Sequence, residues 1–597
     1  MLSALIKLFY LLSEKDKKVG LKLLILLALM GVVEMMGIAS ILPFLAVVGS
    51  PEIITENQSL YSIYLFADLY FFNMNENSFL ILLGMFSFVF ILITAILRIY
   101  SIYVMNKYIE MTRHHLSLKL LGRYVYQSYE YFTNRHSSEL TKNIMSEIDF
   151  VVINIFRPII QMISYLFILI AIISLLVWHD PIMAILAILV MGFLYGAMYF
   201  LSRGRILKYG DRGVRSNKKR FKTASDALNG IKNIKMYNCE EVYLKEYKSF
   251  SLDYVQSAYR FQILNQAPKH LLEALAFGGI IVLVISILYS GSDSKVTMGE
   301  VLPILGLYAI SAYRIQPALT AIYQGMTSLN YGSNAINNLF NEFNNTKIKR
   351  TLLTEAGNRI IPKETICLNG ISHKFKTSEN IIKELSLTIK VGSSVGIMGG
   401  SGAGKTTLLD LILGLNSPTE GFISVDDQEI NSDNIASWKR CLGYVPQIIF
   451  ILDSSFAENI AFGIPIDEID YEKVVECAKS AQIHNFIISN DSKGYDAKVG
   501  ERGSRISGGQ NQRIGIARAL YTNPDILILD EATSALDSAT EELVLKSIHR
   551  AMRHKTIIMV SHKLDTVKNC DSIVLLENGK IKYSGLYDEF EKFKYLQ

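Results

Sequence analysis

The sequence predicts two fused parts of different class: a membrane α-helical domain of six long transmembrane helices, then an α/β P-loop domain. Two observations carry this. Apolar runs of about 20 residues or more, long enough to cross a bilayer, begin near 21, 79, 157, 183, 270 and 299 and end near 48, 104, 178, 202, 290 and 322. The second is Gly399-Gly-Ser-Gly-Ala-Gly-Lys-Thr-Thr407, set between the apolar run Val395 to Met398 and the leucine-rich stretch Leu408 to Leu415. It fits G-x-x-x-x-G-K-[ST], a strand–loop–helix pattern that wraps the phosphates of a nucleotide. Composition agrees. Half of the 597 residues are hydrophobic and 19% are charged, against roughly 25% in soluble domains. The charge deficit lies in the first half, which points to membrane rather than disorder.

Orientation follows from the connections. Residues 50–77 hold no Lys or Arg, the turn 179–182 holds none, and 291–298 holds only Lys295. By contrast 105–150 hold six and 203–269 hold fifteen, densest from Arg212 to Lys222. By the positive-inside rule the long basic segments and both termini are cytoplasmic. Their placement between spans accounts for the charge, and a net charge of +5 calls for no nucleic acid. Residues 1–20 carry Lys7, Lys15, Lys17 and Lys18 among apolar residues without a small-residue cleavage site, and read as an amphipathic segment on the membrane surface rather than a signal peptide. The long cytoplasmic segments have helical periodicity and extend the membrane helices, turning near 126–136 and 211–219. A short external helix is expected from Leu60 to Tyr70. Five scattered cysteines show no metal spacing, which suits a reducing cytosol.

In the second half, the glycines of 399–404 let successive N–H groups turn toward an anion, with a helix N-terminus behind them. Lys405 reaches the β- and γ-phosphates, and the Thr406 hydroxyl is placed to hold Mg²⁺. Further on, Gln447 follows the strand end Gly443-Tyr-Val-Pro446. Ser507-Gly-Gly-Gln510 opens a helix, a second anion site. Ile526-Leu-Ile-Leu-Asp530-Glu531 is a buried-type strand ending in two carboxylates, one for the metal and one to polarise an attacking water. His562 follows the strand Thr556 to Val560.

In this order and spacing, residues 363–590 resemble the ATP-binding cassette (ABC) ATPases. The resemblance implies ATP and Mg²⁺ as cofactors. It makes Gly399, Gly400, Ser401, Gly402, Ala403, Gly404, Lys405, Thr406 and Thr407 the phosphate loop, or Walker A. Asp530 becomes the Walker B aspartate, with Thr406 and Gln447 beside it at the metal, and Glu531 the catalytic base. Gln447 is the Q-loop, Ser507, Gly508, Gly509 and Gln510 the signature, Asp537 the D-loop aspartate and His562 the switch histidine. Two departures show. Ile506 stands where leucine is usual, an isosteric change, and the adenine-stacking aromatic has Phe375 as its candidate, with His373 close by, where Tyr is usual. The first half is similar to the six-helix domain of half-size ABC exporters, which keep coupling helices where the two cytoplasmic turns fall. The expected boundaries are a transmembrane domain over 1–345, a linker over 346–362 and an ABC nucleotide-binding domain over 363–597.

One phosphate loop and one signature per chain imply, within this family, a second copy: ATP is held between the loop of one cassette and the signature of the other. All motifs are intact, so a homodimer has two competent sites; a heterodimer with a related half-transporter is the alternative. As for cargo, the spans contain Glu34, Arg98, Glu273 and Arg314, and ionisable residues inside a membrane face a cavity or a partner. Arg98 and Arg314 in a cavity suit an anionic head group; paired with Glu34 or Glu273 they instead fix helix packing. Glu34 to Pro43-Phe44 and Ala312-Tyr-Arg314-Ile-Gln-Pro317 resemble segments of bacterial lipid-linked oligosaccharide flippases. That likeness implies an amphipathic lipid-linked pyrophosphate oligosaccharide, carried across a bacterial cytoplasmic (inner) membrane. The alternatives are a general lipid, peptide or drug exporter and, in a different class, a cassette-gated channel, which a substituted Glu531 or a degenerate signature would favour; neither occurs.

Overall fold

The structure is a computed structural model and describes residues 2–49, 51–71, 75–133, 135–179, 181–290, 298–346, 358–374, 380–500 and 503–590. The chain divides into two compact units, Met1–Gln127 with Asn134–Ile348 and Ser128–Thr133 with Lys349–Gln597. Most of the expected linker 346–362 lies outside the described residues.

The first unit is helical throughout. A short helix, Leu2–Leu11, precedes Glu14–Ala39, which starts at a capping box: Ser13 Oγ accepts from the Asp16 amide at 3.1 Å while the Asp16 carboxylate turns back to Ser13. This satisfies amides that the first helical turn leaves unpaired. Asp16 also reaches His115 Nδ1 at 2.7 Å, tying the chain's entry to the helix Glu76–Val125. The expected spans fall inside Glu14–Ala39 with Ile41–Gly49, then Glu76–Val125, Arg157–His179, Pro181–Asn229, Glu240–Ser290 and Met298–Tyr331. Among the described residues, Glu14–Gly49, Glu76–Val125 and Ser137–Trp178 are long and apolar enough to cross a membrane. A helix is present over the expected stretch Leu60 to Tyr70, as Gln58–Phe71, and the expected turn near 126–136 holds the short helix Tyr129–Thr133, which is grouped with the second unit.

The second cytoplasmic turn is not where the sequence puts it. The helix that begins at Pro181 runs through 211–219 without a break to Asn229, and the reversal comes at Gly230, the short helix Ile231–Tyr237 and the left-handed Asn238. Lys and Arg are good helix formers, so the basic run from Arg212 to Lys222 does not interrupt it. The glycines there serve packing instead. A Cβ at Gly210 would overlap the Tyr331 carbonyl, and one at Gly213 would stand 3.3 Å from the Tyr331 hydroxyl. Tyr331 in turn stacks on Phe261, centroids 3.9 Å apart, with Ile206 buried beside them. Three long helices therefore meet at one tyrosine.

The second unit is α/β. A six-stranded sheet has the spatial order Lys580–Gly585, Ser572–Glu577, Ser394–Gly399, Thr556–Val560, Ile526–Asp530, Leu442–Val445. Every neighbouring pair is parallel except the first. The strands Ile526–Asp530 and Thr556–Val560 are buried along their whole length, as expected of parallel strands covered on both faces. A four-stranded antiparallel sheet, Ile382–Lys390, Thr365–His373, Glu420–Val425 and Gln428–Glu429, completes the unit.

The close approach at Gly210 gives a first prediction. Gly210→Ala forces the helices apart at a cost of about 1–3 kcal/mol. It should lower the thermal unfolding midpoint of the detergent-solubilised protein, whereas Gly204→Ala, with nothing within 4 Å of the new methyl, should not.

Candidate active site

Parallel strands present their carboxyl ends at one edge of a sheet, where α/β domains bind ligands. Four adjacent strands deliver the functional side chains there: Gly399 leads into the phosphate loop, Val560 into His562, Asp530 into Glu531 and Val445 into Gln447. Gly399 ends its strand, Gly400 to Gly404 form the loop, and Lys405, Thr406 and Thr407 make the first turn of the helix Lys405–Ile412. Gly402 and Gly404 have φ of 80° and 101°, which other residues adopt only at a cost. A Cβ at Gly404 would also stand 2.9 Å from Ile382. Lys405 is buried, and its ammonium donates to the Gly399 and Gly400 carbonyls at 2.9 and 3.0 Å. That curls the loop round a cationic centre at a helix N-terminus, an arrangement that fits a polyphosphate.

Glu531 is the hub of the edge. Gln447 Nε2 donates to its Oε2 at 2.6 Å, and His562 Nε2 lies against its Oε1. The structure thus brings together three residues separated by as much as 115 positions in the chain. Glu531 has φ 48°, a left-handed conformation that costs a side-chain-bearing residue about 1–2 kcal/mol; such strain persists where the surroundings over-determine it. Here its amide donates to Val560 O at 3.0 Å, and its own carbonyl accepts from Ser534 N at 3.1 Å. Gln512 adds bonds that the sequence reading missed. Its Nε2 reaches Glu531 O at 3.4 Å and Ser534 Oγ at 3.0 Å, and its Oε1 accepts from Ala535 N. Gln512 is buried three and seven residues before the buried Gly515 and Ala519, so helical spacing alone would have placed it on the inner face.

Asp530, next to Glu531, is buried. Burial first, then the charge of Glu531, raises its pKa, while Lys405 opposes the rise. Asp410, on the phosphate-loop helix, is pushed up to about 6 by burial and then by Asp530. Two carboxylates held short of charge compensation suit a divalent cation. Thr406 is exposed at the head of its helix and Gln447 is exposed at the sheet edge. With Asp530 these are the groups that would hold Mg²⁺, which when bound neutralises phosphate charge. Among the described residues no cluster of three or more His, Cys, Asp or Glu could hold a metal alone.

The signature opens the helix Gly508–Tyr521. Ser507 and Gln510 form a capping box, Gln510 N to Ser507 Oγ at 3.2 Å and Ser507 N to Gln510 Oε1 at 2.7 Å. Among the described residues, no hydrogen bond joins Ser507–Gln510 to the phosphate loop. Asp537 caps the helix Ser538–Ala551, accepting from Thr540 N at 2.9 Å. Phe375 lies outside the described residues; His373 ends its strand with Nδ1 3.0 Å from Ser417 O. In the helical unit Glu34 is buried and meets Arg98 at 3.3 Å and Arg314 at 3.1 Å, while Arg98 also donates to the Tyr165 hydroxyl at 3.2 Å. Glu273 pairs with His270 instead.

A phosphate loop, two strand-end carboxylates and a histidine on a parallel sheet define a nucleotide-hydrolysing domain, here joined to a helical membrane region. Residues 382–534 match the family model described as ABC transporter, and 21–312 the model described as ABC transporter transmembrane region. The chain belongs to the ABC transporters: a multi-pass membrane region and an ABC ATPase domain that uses ATP with Mg²⁺. Among curated relatives it is 32% identical over 367 residues to the heterocyst differentiation ATP-binding protein HepA of a Nostoc species, covering 61% of this chain and 58% of HepA. It is 40% identical over 227 residues to the beta-(1→2)glucan export ATP-binding/permease protein NdvA of Bartonella bacilliformis, covering 38% of each. The chain thus spans little more than half of HepA and less of the others. A solved bacterial Atm1-family ABC exporter with ATP bound matches with a TM-score of 0.77 at 23% identity, over 97% of this chain and 96% of that one; this shows a shared fold.

Lys405→Ala removes both the loop's internal tie and its positive charge. A charge-assisted bond is worth about 1.5–3 kcal/mol, so affinity for a fluorescent ATP analogue should fall at least roughly tenfold, as read by titration of the purified protein.

Proposed function

We propose that this chain is a half-transporter that works as a homodimer and uses ATP hydrolysis to move an amphipathic anionic substrate, of the lipid-linked pyrophosphate oligosaccharide class, out across the cytoplasmic membrane through twelve spans, six from each copy. The observation that carries the substrate class is the sharing of Glu34 by two arginines. One carboxylate and two guanidiniums leave a surplus positive charge within the helical unit, which is costly in a membrane unless an anion answers it. Beside the cluster a cavity of about 230 Å³ has a polar lining, with Glu34, Arg98, Asn106, Arg157 and Gln161, and an apolar one, with Met30, Ile102, Met105 and Ile168. Such mixed walls suit an amphipathic molecule, whose head group would cost several kcal/mol per unpaired polar group in bare hydrocarbon. That NdvA is named for glucan export supports a glycan cargo.

The ATP cycle follows from the site. Lys405 and the loop amides bind the phosphates. Glu531, aligned by Gln447 and His562, accepts a proton from the attacking water. The Ser507 helix N-terminus, unattached to the loop of its own chain, is available to the nucleotide of a second copy. Bound ATP then favours two cassettes held together and hydrolysis removes that preference, because a ligand shifts an equilibrium only by its differential affinity for the two states.

Two experiments test this. Glu531→Gln should bind ATP as tightly as wild type and lose hydrolysis; wild-type turnover would remove Glu531 as the base. In reconstituted vesicles, ATP should make a fluorescent lipid-pyrophosphate-oligosaccharide accessible on the far side. If a drug or peptide accumulates while that lipid stays put, the general-exporter reading replaces it.

A further inference from the structure

The turn that carries Glu531 and the turn that carries His562 are joined by a buried carboxylate no motif points to. Glu541 lies in the first turn of the helix Ser538–Ala551. Its Oε1 accepts from Thr533 Oγ1 at 2.7 Å and from Thr566 Oγ1 at 2.9 Å, and all three residues are less than 10% exposed. Its Oε2 faces Lys563 Nζ at 3.5 Å. Thr533 is two residues past Glu531, Lys563 is the residue after His562, and Thr566 is four after it. Among the described residues, every side-chain partner of Glu541 therefore comes from one of the two segments that present the catalytic pair, and one oxygen takes a hydroxyl from each.

We infer that Glu541 is a positioning residue for ATP hydrolysis, clamping the Glu531 turn to the His562 turn so that the carboxylate and the imidazole meet. The inference rests on the reading that Glu531 and His562 serve hydrolysis. Glu531 holds a left-handed backbone, which neighbours must enforce. Gln512 restrains its carbonyl from one side, and the Glu541–Thr533 bond restrains the chain just beyond it. On the other segment, the Ser561 hydroxyl accepts from Lys563 N at 3.0 Å, and Thr566 anchors the short helix that follows. A buried carboxylate is costly unless hydrogen-bonded, so two hydroxyls and an ammonium around one carboxylate make a stiff joint. It touches no substrate; it acts through Glu531 and His562.

The test is Mg-ATP turnover by the full-length protein in lipid nanodiscs. Glu541→Ala should lower kcat at least about tenfold while KM stays within about threefold, the pattern of lost alignment rather than lost binding. Glu541→Gln keeps an amide oxygen that can accept both hydroxyls, and should restore most of kcat. Thr566→Val, which frees only the His562 side, should fall between. Wild-type kcat in Glu541→Ala overturns the inference, and so does a Glu541→Gln variant as impaired as Glu541→Ala. If Glu541→Ala does not fold, Thr533→Val and Thr566→Val decide the matter: unchanged kcat in both overturns it. Glu531→Gln, measured alongside, keeps the two readings apart. Full turnover there sinks the assignment of Glu531, whereas lost turnover there with wild-type kcat in Glu541→Ala sinks only the clamp.

Discussion

Parallel pairing of strands has a geometric consequence on which the rest of the ATPase unit depends. Strands that run the same way must end on the same edge, so residues far apart in sequence arrive side by side with no further device. Ser394–Ile397 pairs with Ile557–Val560, that strand with Ile526–Asp530, and that with Leu442–Val445. The registers are continuous, and the segments leaving them are only one or two residues from the chemistry: Glu531 follows Asp530 directly, while Gln447 and His562 lie two beyond Val445 and Val560. The sheet is fixed by buried Ile, Leu and Val, and the polar residues need only be placed after it.

Both units place one carboxylate between two partners, under different physical terms. At the sheet edge Glu531 stands between an amide and an imidazole in a site open to solvent, and its conformation is strained. Within the helical unit Glu34 is buried between two guanidiniums from two other helices. Leaving either arginine without that carboxylate would cost far more there than at a surface, because removing one member of a buried pair exposes the other to low dielectric. The first arrangement fixes the direction of a carboxylate on a strained backbone. The second links three helices through one carboxylate, beside a cavity of mixed polar and apolar lining.

The sequence made much of this visible, and its failures have physical reasons. The phosphate loop, the strand-end acids and the signature helix depend on local spacing, and each lies in the element expected. The runs near 21, 79 and 157 are predominantly apolar, and helices enclose them. The turn expected near 211–219 comes instead at 230–238, because the basic run carries its helix on to Asn229; Gly210 and Gly213 are small because Tyr331, more than a hundred residues on, packs against them. Glu34 as the common partner of Arg98 and Arg314 was one of two pairings that the sequence left open. Gln512 and Glu541 went unremarked, since polar residues near helix starts read as solvent-facing. Yet Glu541 lies three and seven positions before the buried Val544 and Ile548, and that phase was in plain view.

The helices Glu76–Val125, Pro181–Asn229 and Glu240–Ser290 contain 50, 49 and 51 residues, or about 75 Å of rod each at about 1.5 Å per residue. A hydrocarbon core of about 30 Å takes in less than half of such a rod. The remainder is long enough to act as a lever arm. A tilt of roughly 5° sweeps the tip of a 75 Å rod through about 6 Å, slightly more than one helical turn of about 5.4 Å. Gearing of that kind would turn a small tilt at one end into a displacement of side-chain size at the other, and Pro268, inside the helix Glu240–Ser290, marks where one of the three rods can bend.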